Sequence, residues 1–518
     1  VKALIMNTKT LTPYLFACLL SGCGAATPAP YTGPQKVDIP IEDTTKSRHH
    51  KAQAPQRETP PTGGVAKASK FPKIEHAELG NGLGVNVITA ASLPIVQVRL
   101  IVRAGNGYGP NPAVASLTGD MLKDGGTKTM ASAEVLSRIE SLGADIGVST
   151  DSDATVLSLS VPKDRLAQAF GVFADVAQNP RFDDGEFKKL KARAVDDAKE
   201  SAKGRGSFSA VRALFRELYA GAGPYAVHGL VPSEIEKVSQ AEMRAFHSKF
   251  FVPNNAHLVF AGDIDLETAK QLSDTAFRAW KRSTTAPALP DAPKPQLPKE
   301  RKVIVCDRKK APQSDIFVAT LAPERKSAAW PQVRVATQVL GGGVAGRLFT
   351  DVREKRSLAY STNAQVFEVA LGAQPLVAYA GTQAPKTDAA VQGLMDNLSS
   401  MQQGSVTGTE NETARRYLSD VFAIRMETIG AVADLAGRLR VLGLPDDYWD
   451  EYRAALRSTD ASATNEISKS LFDIEHALIV VTGDADTIAE PLRRFGEVTV
   501  LDPEKELQVI KTLPKATP

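Results

Sequence analysis

The residues in this sequence whose types could do chemistry are seven histidines, three cysteines and one charged run near the middle of the second half. Metal binding by a helix needs two donors on one face, so the spacing around each histidine decides the matter. His76 and His476 each follow a glutamate, but Pro72 and Phe472 stand where a further histidine would be needed. His228, His247 and His257 occur singly in helical, loop or strand contexts, and His49-His50 sit in a Pro/Thr-rich stretch. Structural or solvated roles are expected for all of them. Gly341 to Gly343 are not followed by Gly-Lys-Ser/Thr, so nucleotide binding is unsupported and a turn is expected there. The charged run "VREKRSLAYS" sets arginine, lysine and glutamate beside a tyrosine. Taken alone, the same run reads as a surface helix with a buried tyrosine.

The elements that position these residues begin after a targeting segment. Lys2 and Lys9 precede "LTPYLFACLL", and "LSGC" ends at Cys23, a pattern that resembles a bacterial lipobox with Cys23 lipidated. Met6 is an alternative start, and an ordinary secretory signal is the alternative reading. Gly24 replaces the aspartate that holds many lipoproteins at the inner membrane, so an outer-membrane anchor facing the periplasm is expected. Residues 1–23 are thus read as signal. Residues 24–70, rich in Pro, Ala and Thr, cannot bury enough surface to fold and read as a tether. With Cys18 and Cys23 accounted for, Cys306 has no partner for a disulfide, and in "KVIVCD" it reads as a small buried residue.

The 518 residues exceed one ordinary domain, and the formal charge of +3 gives no footprint for nucleic acid. No run of about 18 apolar residues occurs, so no membrane-spanning helix is expected. A Pro-rich break at 283–302 separates residues 71–282 from 303–505, each about 200 residues, with 506–518 as a tail. The halves look like a repeat. "NNAHLVFAGDID" closes the first and "IEHALIVVTGDAD" the second, both β-rich runs ending in Gly-Asp-x-Asp. "LGNGLGVNVIT" reads as a hairpin, "PIVQVRLIVRAG" as a half-buried strand, and "VASLTGDMLKDGGT" as an amphipathic helix with Met121 and Leu122 inward. The fold class predicted is α+β: two homologous domains, each a mainly antiparallel sheet covered by helices.

From about residue 74 to 503 the chain resembles the pitrilysin/insulinase family of zinc peptidases, which includes the mitochondrial processing peptidases. The resemblance rests on "LGNGLGVNV", "VRAGNGYGPN", "SLGADIGVSTDSD", the run from "GPYAVHGLVPSEIEKVSQ" to "AGDID" and, above all, "LGGGVAGRLFTDVREKRSLAYS". It implies two homologous domains in one chain, closing on a second chain around an extended peptide. Active members carry H-x-x-E-H on the first domain's helix, and a later glutamate completes the zinc site. Matched to that motif, Ser116 and Asp120 stand at the histidine positions, Gly119 at the glutamate, and Asp197 at the last ligand. Serine binds zinc poorly, glycine takes no proton from water, and two carboxylates without imidazole make a weak zinc site. The resemblance also assigns Arg353 and Tyr360 to substrate binding.

The expected function is therefore a zinc-less subunit of a periplasmic heterodimeric metallopeptidase. Zinc is expected on a partner chain and none on this one; the partner is a related chain or a second copy, and the substrate is a peptide. Two alternatives stay open: a self-sufficient zinc peptidase using Asp120 and Asp197, and a non-enzymatic peptide-binding or scaffold lipoprotein.

Overall fold

The computed structural model describes residues 69–221 and 223–517. Cys23, the signal and nearly all of the expected tether lie outside them.

The first sheet has six strands: β1 (Glu75–Glu78), β2 (Gly84–Thr89), β3 (Ile95–Val102), β4 (Asp145–Thr150), β5 (Thr155–Pro162) and β6 (Ala256–Gly262). Their order is β1-β2-β6-β3-β5-β4, antiparallel except for the β2-β6 pair. The expected hairpin is present, with Gly82 at φ +87° at its tip and Glu78 opposite Gly84. The second sheet has seven: β7 (Lys302–Asp307), β8 (Gln313–Ala322), β9 (Ala359–Val366), β10 (Gln374–Gln383), β11 (Leu478–Gly483), β12 (Glu497–Asp502) and β13 (Gln508–Leu513). The order is β13-β12-β7-β11-β8-β10-β9, antiparallel except where β7 meets β11 and β12. The fold is α+β, with two mainly antiparallel sheets and many helices, as the sequence predicts. One part needs correction: residues 508–513, expected within a tail, form the edge strand β13. Its exposed Val509 and Ile510 give no buried face, and so no periodic signal for a strand.

Strand alternation gives each sheet two apolar faces, and the two are covered differently. On the first sheet, Val96, Val98 and Leu100 point to one side, into a core completed by helices of the same half, including Pro112–Asp124 and Leu166–Gln178. Ile88, Ile101, Val259 and Ala261 point to the other. There they meet Val432, Ala433, Ala436 and Leu439 of the Ile429–Leu442 helix, which comes from the second half. Arg99 Nε donates to Asp434 of that helix at 2.7 Å.

The second sheet repeats the plan in reverse. Val303, Val305, Ile316 and Val318 pack on helices of their own half, among them Trp330–Gly341 and Thr387–Gln402. Ile304, Cys306, Phe317 and Val480 on the opposite face meet Ala210, Leu214 and Leu218 of the Gly206–Leu218 helix, which belongs to the first half. Each half therefore lends the other a helix. Between them, Asp153 accepts from the Tyr225 hydroxyl at 2.5 Å and from the Ala370 amide at 2.9 Å.

Candidate functional site

The Pro112–Asp124 helix starts where the Asn111 side chain accepts from the Ala113 amide and Pro112 supplies a preset φ. Leu117, Met121 and Leu122 anchor one face in the core, as expected for Met121 and Leu122. Ser116, Gly119 and Asp120 follow from helical spacing on the remaining surface, part of which lies against β4. Ser116 Oγ donates to Asn106 Oδ1 at 2.8 Å. Gly119 is buried so tightly that a Cβ there would lie 2.5 Å from Thr150 Oγ1. That distance leaves no room for any side chain without movement. Asp120 reaches solvent, yet loss of water around its carboxyl on partial burial raises the pKa, with the like charge of Asp124 adding and Arg193 and Lys123 opposing.

Asp197 is exposed on the Asp184–Gly204 helix, which packs on the Pro112–Asp124 helix. It borders a recess of about 630 Å³ shared with Arg212 and Glu506. The strongest charges acting on Asp120 are Asp124, Arg193 and Lys123 rather than Asp197. Among the described residues, no group of three His, Cys, Asp or Glu side chains converges into a set that could hold a metal ion. The chemistry of the donor set agrees: a committed hydroxyl, an occluded glycine and two separate short acids do not fit zinc.

Arg353 and Tyr360 are placed otherwise. Phe349–Lys355 is a wide π-helical turn in which the Arg356 amide bonds the Asp351 carbonyl, five residues back, at 2.9 Å. The turn packs on β9, whose second residue is Tyr360. Ser357, between them, has φ +50°, a left-handed conformation that costs a serine about 1 kcal/mol and redirects the chain into the strand. Arg353 is exposed, with its guanidinium carbon 4.6 Å from the centre of the Phe349 ring. Tyr360 is 54% exposed, which excludes the reading in which it is a buried core residue. Among the described residues neither side chain makes a hydrogen bond or ion pair, so both sets of donors are open. Neither Phe349 nor Ser357 stands out in the sequence; the Phe349–Arg353 spacing of four is the signal that finds the stack.

Arg347 holds this segment from behind. Its Nε and Nη2 donate to the two Glu410 oxygens at 2.6 and 2.8 Å, a two-pronged pair. Burial alone raises the Glu410 pKa, but the Arg347 and Thr407 hydrogen bonds outweigh it and bring it to about 2. Gly341 to Gly343 close the Trp330–Gly341 helix just before this turn.

The described histidines have structural surroundings, while His49 and His50 lie outside the described residues. His247 Nε2 lies 2.8 Å from the Ala177 carbonyl, and His228 stacks on Phe215 at 4.9 Å. His76 bonds Asn86 and Asp446, while His476 bonds Asp473. Cys306 is fully buried, and burial pushes its thiol up to about 12, so it is no nucleophile at neutral pH.

Comparison with known proteins places these features in context. Residues 86–212 match the family described as "Insulinase (Peptidase family M16)", and residues 237–418 match "Peptidase M16 inactive domain". An uncharacterized zinc protease of Bacillus subtilis is 21% identical over 363 residues, covering 69% of this chain and 85% of that protein. The β subunit of the mitochondrial-processing peptidase of Blastocladiella emersonii is 25% identical over 212 residues, 40% of this chain and 44% of its own length. Among solved structures, a peptidase M16 inactive domain from Pseudomonas fluorescens superposes with a TM-score of 0.73 at 23% identity, covering 79% of this chain and 98% of that one. A protease from Helicobacter pylori gives 0.72 at 17% identity, covering 80% and 100%.

Proposed function

The chain belongs to the insulinase (M16) peptidase family, and from that premise we propose that it is the non-catalytic subunit of a heterodimeric metallopeptidase. The observation that carries the reading is Gly119. At the position where the family resemblance puts the catalytic glutamate, the helix packs on Thr150 so closely that even a methyl group would need its hydroxyl to move aside. Ser116 is bonded to Asn106, and Asp120 and Asp197 are single short acids. Among the described residues, no group would hold zinc and ionise a water bound to it.

Its contribution is then a wall of the chamber and two donors. Arg353, steadied by Phe349, binds a carbonyl or carboxylate of the peptide. Tyr360 donates to the oxygen on which charge develops. A related chain carrying H-x-x-E-H supplies the zinc, so the site is complete only when the two meet around one carbonyl. The same reading keeps the chain on the periplasmic side of the envelope, held at the outer membrane by lipid on Cys23.

The experiment is to purify the chain alone and together with an H-x-x-E-H-bearing relative from the same cell. Expected is no peptidase activity and no stoichiometric zinc in the lone chain, with activity in the mixture. Chelator-sensitive hydrolysis by the lone chain, abolished by Asp120→Ala, overturns the proposal in favour of a self-sufficient enzyme. A stable chain that forms no complex with such a relative points instead to a peptide-binding lipoprotein.

A further inference from the structure

Away from the peptide-facing residues, the second half contains an excess of arginine with few acceptors. Arg325, Arg334 and Arg438 surround one carboxylate, Glu368, at 3.8, 3.8 and 3.5 Å. Those separations are at or beyond the limit of a hydrogen bond. A guanidinium has five N–H donors and cannot shed its charge, so about fifteen donors here converge on one acid. Glu368 feels the imbalance: burial alone raises its pKa, but the three arginines outweigh it and hold the carboxyl below its ordinary range.

Arg325 is the deepest of the three. Its side chain is only 4% exposed, and its Nε has no hydrogen-bond partner among the described residues. Four rings face its guanidinium carbon at 4.8 to 5.7 Å, those of Trp330, Tyr448, Trp449 and Tyr452, and add cation–π stabilisation to its share of Glu368. Arg425 stands exposed at the rim without an ion-pair partner among the described residues. The other nearby acid, Asp434, is taken by Arg99 at 2.7 Å.

These groups line a recess of about 500 Å³ whose remaining wall is apolar, chiefly Leu418, Phe422 and Trp449. The indole N–H of Trp449 is already spent on the Leu435 carbonyl, so its ring presents only carbon to the space. We propose that the recess binds a small molecule made of an oxyanion, carboxylate or phosphate, on an apolar body. The oxyanion sits among Arg334, Arg438 and Arg425, where planar forks match two oxygens at once. The apolar part lies against Phe422 and Trp449. Because Arg438 belongs to the helix that covers the first sheet, occupancy ties the two halves more firmly together.

The test uses the full chain with three probes: 3-phenylpropionate, the neutral 3-phenylpropanamide and inorganic phosphate. Calorimetry is expected to show the acid binding at least about tenfold more tightly than the amide, through the charge-assisted pairs. Arg438→Gln is expected to weaken binding about tenfold, and Arg425→Ala, at the exposed rim and safe for folding, a few-fold. Glu368→Gln removes a competing carboxylate and is expected to tighten binding, a result no purely structural latch produces. Phosphate binding in competition with the acid assigns the natural ligand to the phosphate-bearing source; acid binding without phosphate assigns it to carboxylates. Equal binding of acid and amide, no binding of either anion at millimolar concentration, or weaker binding in Glu368→Gln overturns the proposal.

Discussion

In the first half, two positions on the helix surface carrying Ser116, Gly119 and Asp120 are closed by their neighbours: Asn106 takes the serine hydroxyl and Thr150 occupies the space beside the glycine, while Asp120 still reaches solvent. In the second half, Arg353 and Tyr360 stand open, stacked on Phe349 or set on a strand, with no internal acceptor among the described residues. Both surfaces rest on sheets of similar plan. What differs is whether the neighbouring side chains grew into the space or stayed out of it. Close packing of such a surface stabilises the fold. Donors left without an internal acceptor stay available to a molecule outside the chain.

The contrast would break most visibly in the complex proposed above. With a zinc-bearing partner, Arg353→Ala is expected to lower turnover about 100-fold or more, the usual effect of losing a charge-stabilising donor. The melting temperature of the lone chain should not move. A loss of stability with unchanged turnover would mean that Arg353 belongs to the fold after all.

The exchange of helices predicts that neither half unfolds alone. Leu214→Ala, which empties a fully buried position beneath the second sheet, is expected to cost about 2–5 kcal/mol. Leu439→Ala should do the same beneath the first. Urea unfolding followed by tryptophan fluorescence and by far-UV circular dichroism should give one coincident transition in each case. Two separated transitions would show the halves to be independent.

Acid should distinguish the halves. Burial lowers the pKa of both His247 and His257 from 6.5 to about 4, the Ala177 carbonyl opposing it at His247 and nearby cations adding to it at His257. The folded state then binds fewer protons than the unfolded one. Stability is therefore complete above pH 6.5 and lost as the pH falls through about 4, by about 3 kcal/mol for each group. Glu410 belongs to a lower window: its folded pKa of about 2 lies below the ordinary value, so its contribution is lost only as the pH falls from about 4.5 toward 2. A urea midpoint unchanged between pH 7 and 4.5, or the same slope in His247→Gln, would contradict the assignment for His247.

Two smaller effects probe the filled and the open surfaces directly. Alanine ordinarily stabilises a helix by about 1 kcal/mol over glycine, yet Gly119→Ala is expected to destabilise by about 1–3 kcal/mol because its methyl meets Thr150. Thr150→Ala in the same chain should recover part of the loss in thermal unfolding. Ser357→Gly, which relieves a left-handed serine, is expected to stabilise by about 0.5–1 kcal/mol.

Much of the architecture was legible because it is written in local pattern. The hairpin at Asn81-Gly82, the strand holding Cys306, the inward Met121 and Leu122 and the two Gly-Asp-x-Asp strand ends all depend on residues a few positions apart. Which side chains could ligate a metal was legible for the same reason, since residue type alone decides it. Strand β13 escaped because an edge strand exposed on both faces has no apolar alternation.

What only the tertiary structure decided involves residues far apart in the chain. Leu214 serves a sheet that begins nearly a hundred positions later, and Arg99 meets Asp434 across most of the protein. The filling of Gly119's space by Thr150, the openness of Tyr360 and the convergence of Arg325, Arg334 and Arg438 on Glu368 carry no periodic or spacing signal. The sequence determined which side chains are capable of binding or transferring a proton. Packing determined which of them still face open space, because contact depends on how distant segments meet, and the order of residues along one segment does not record that.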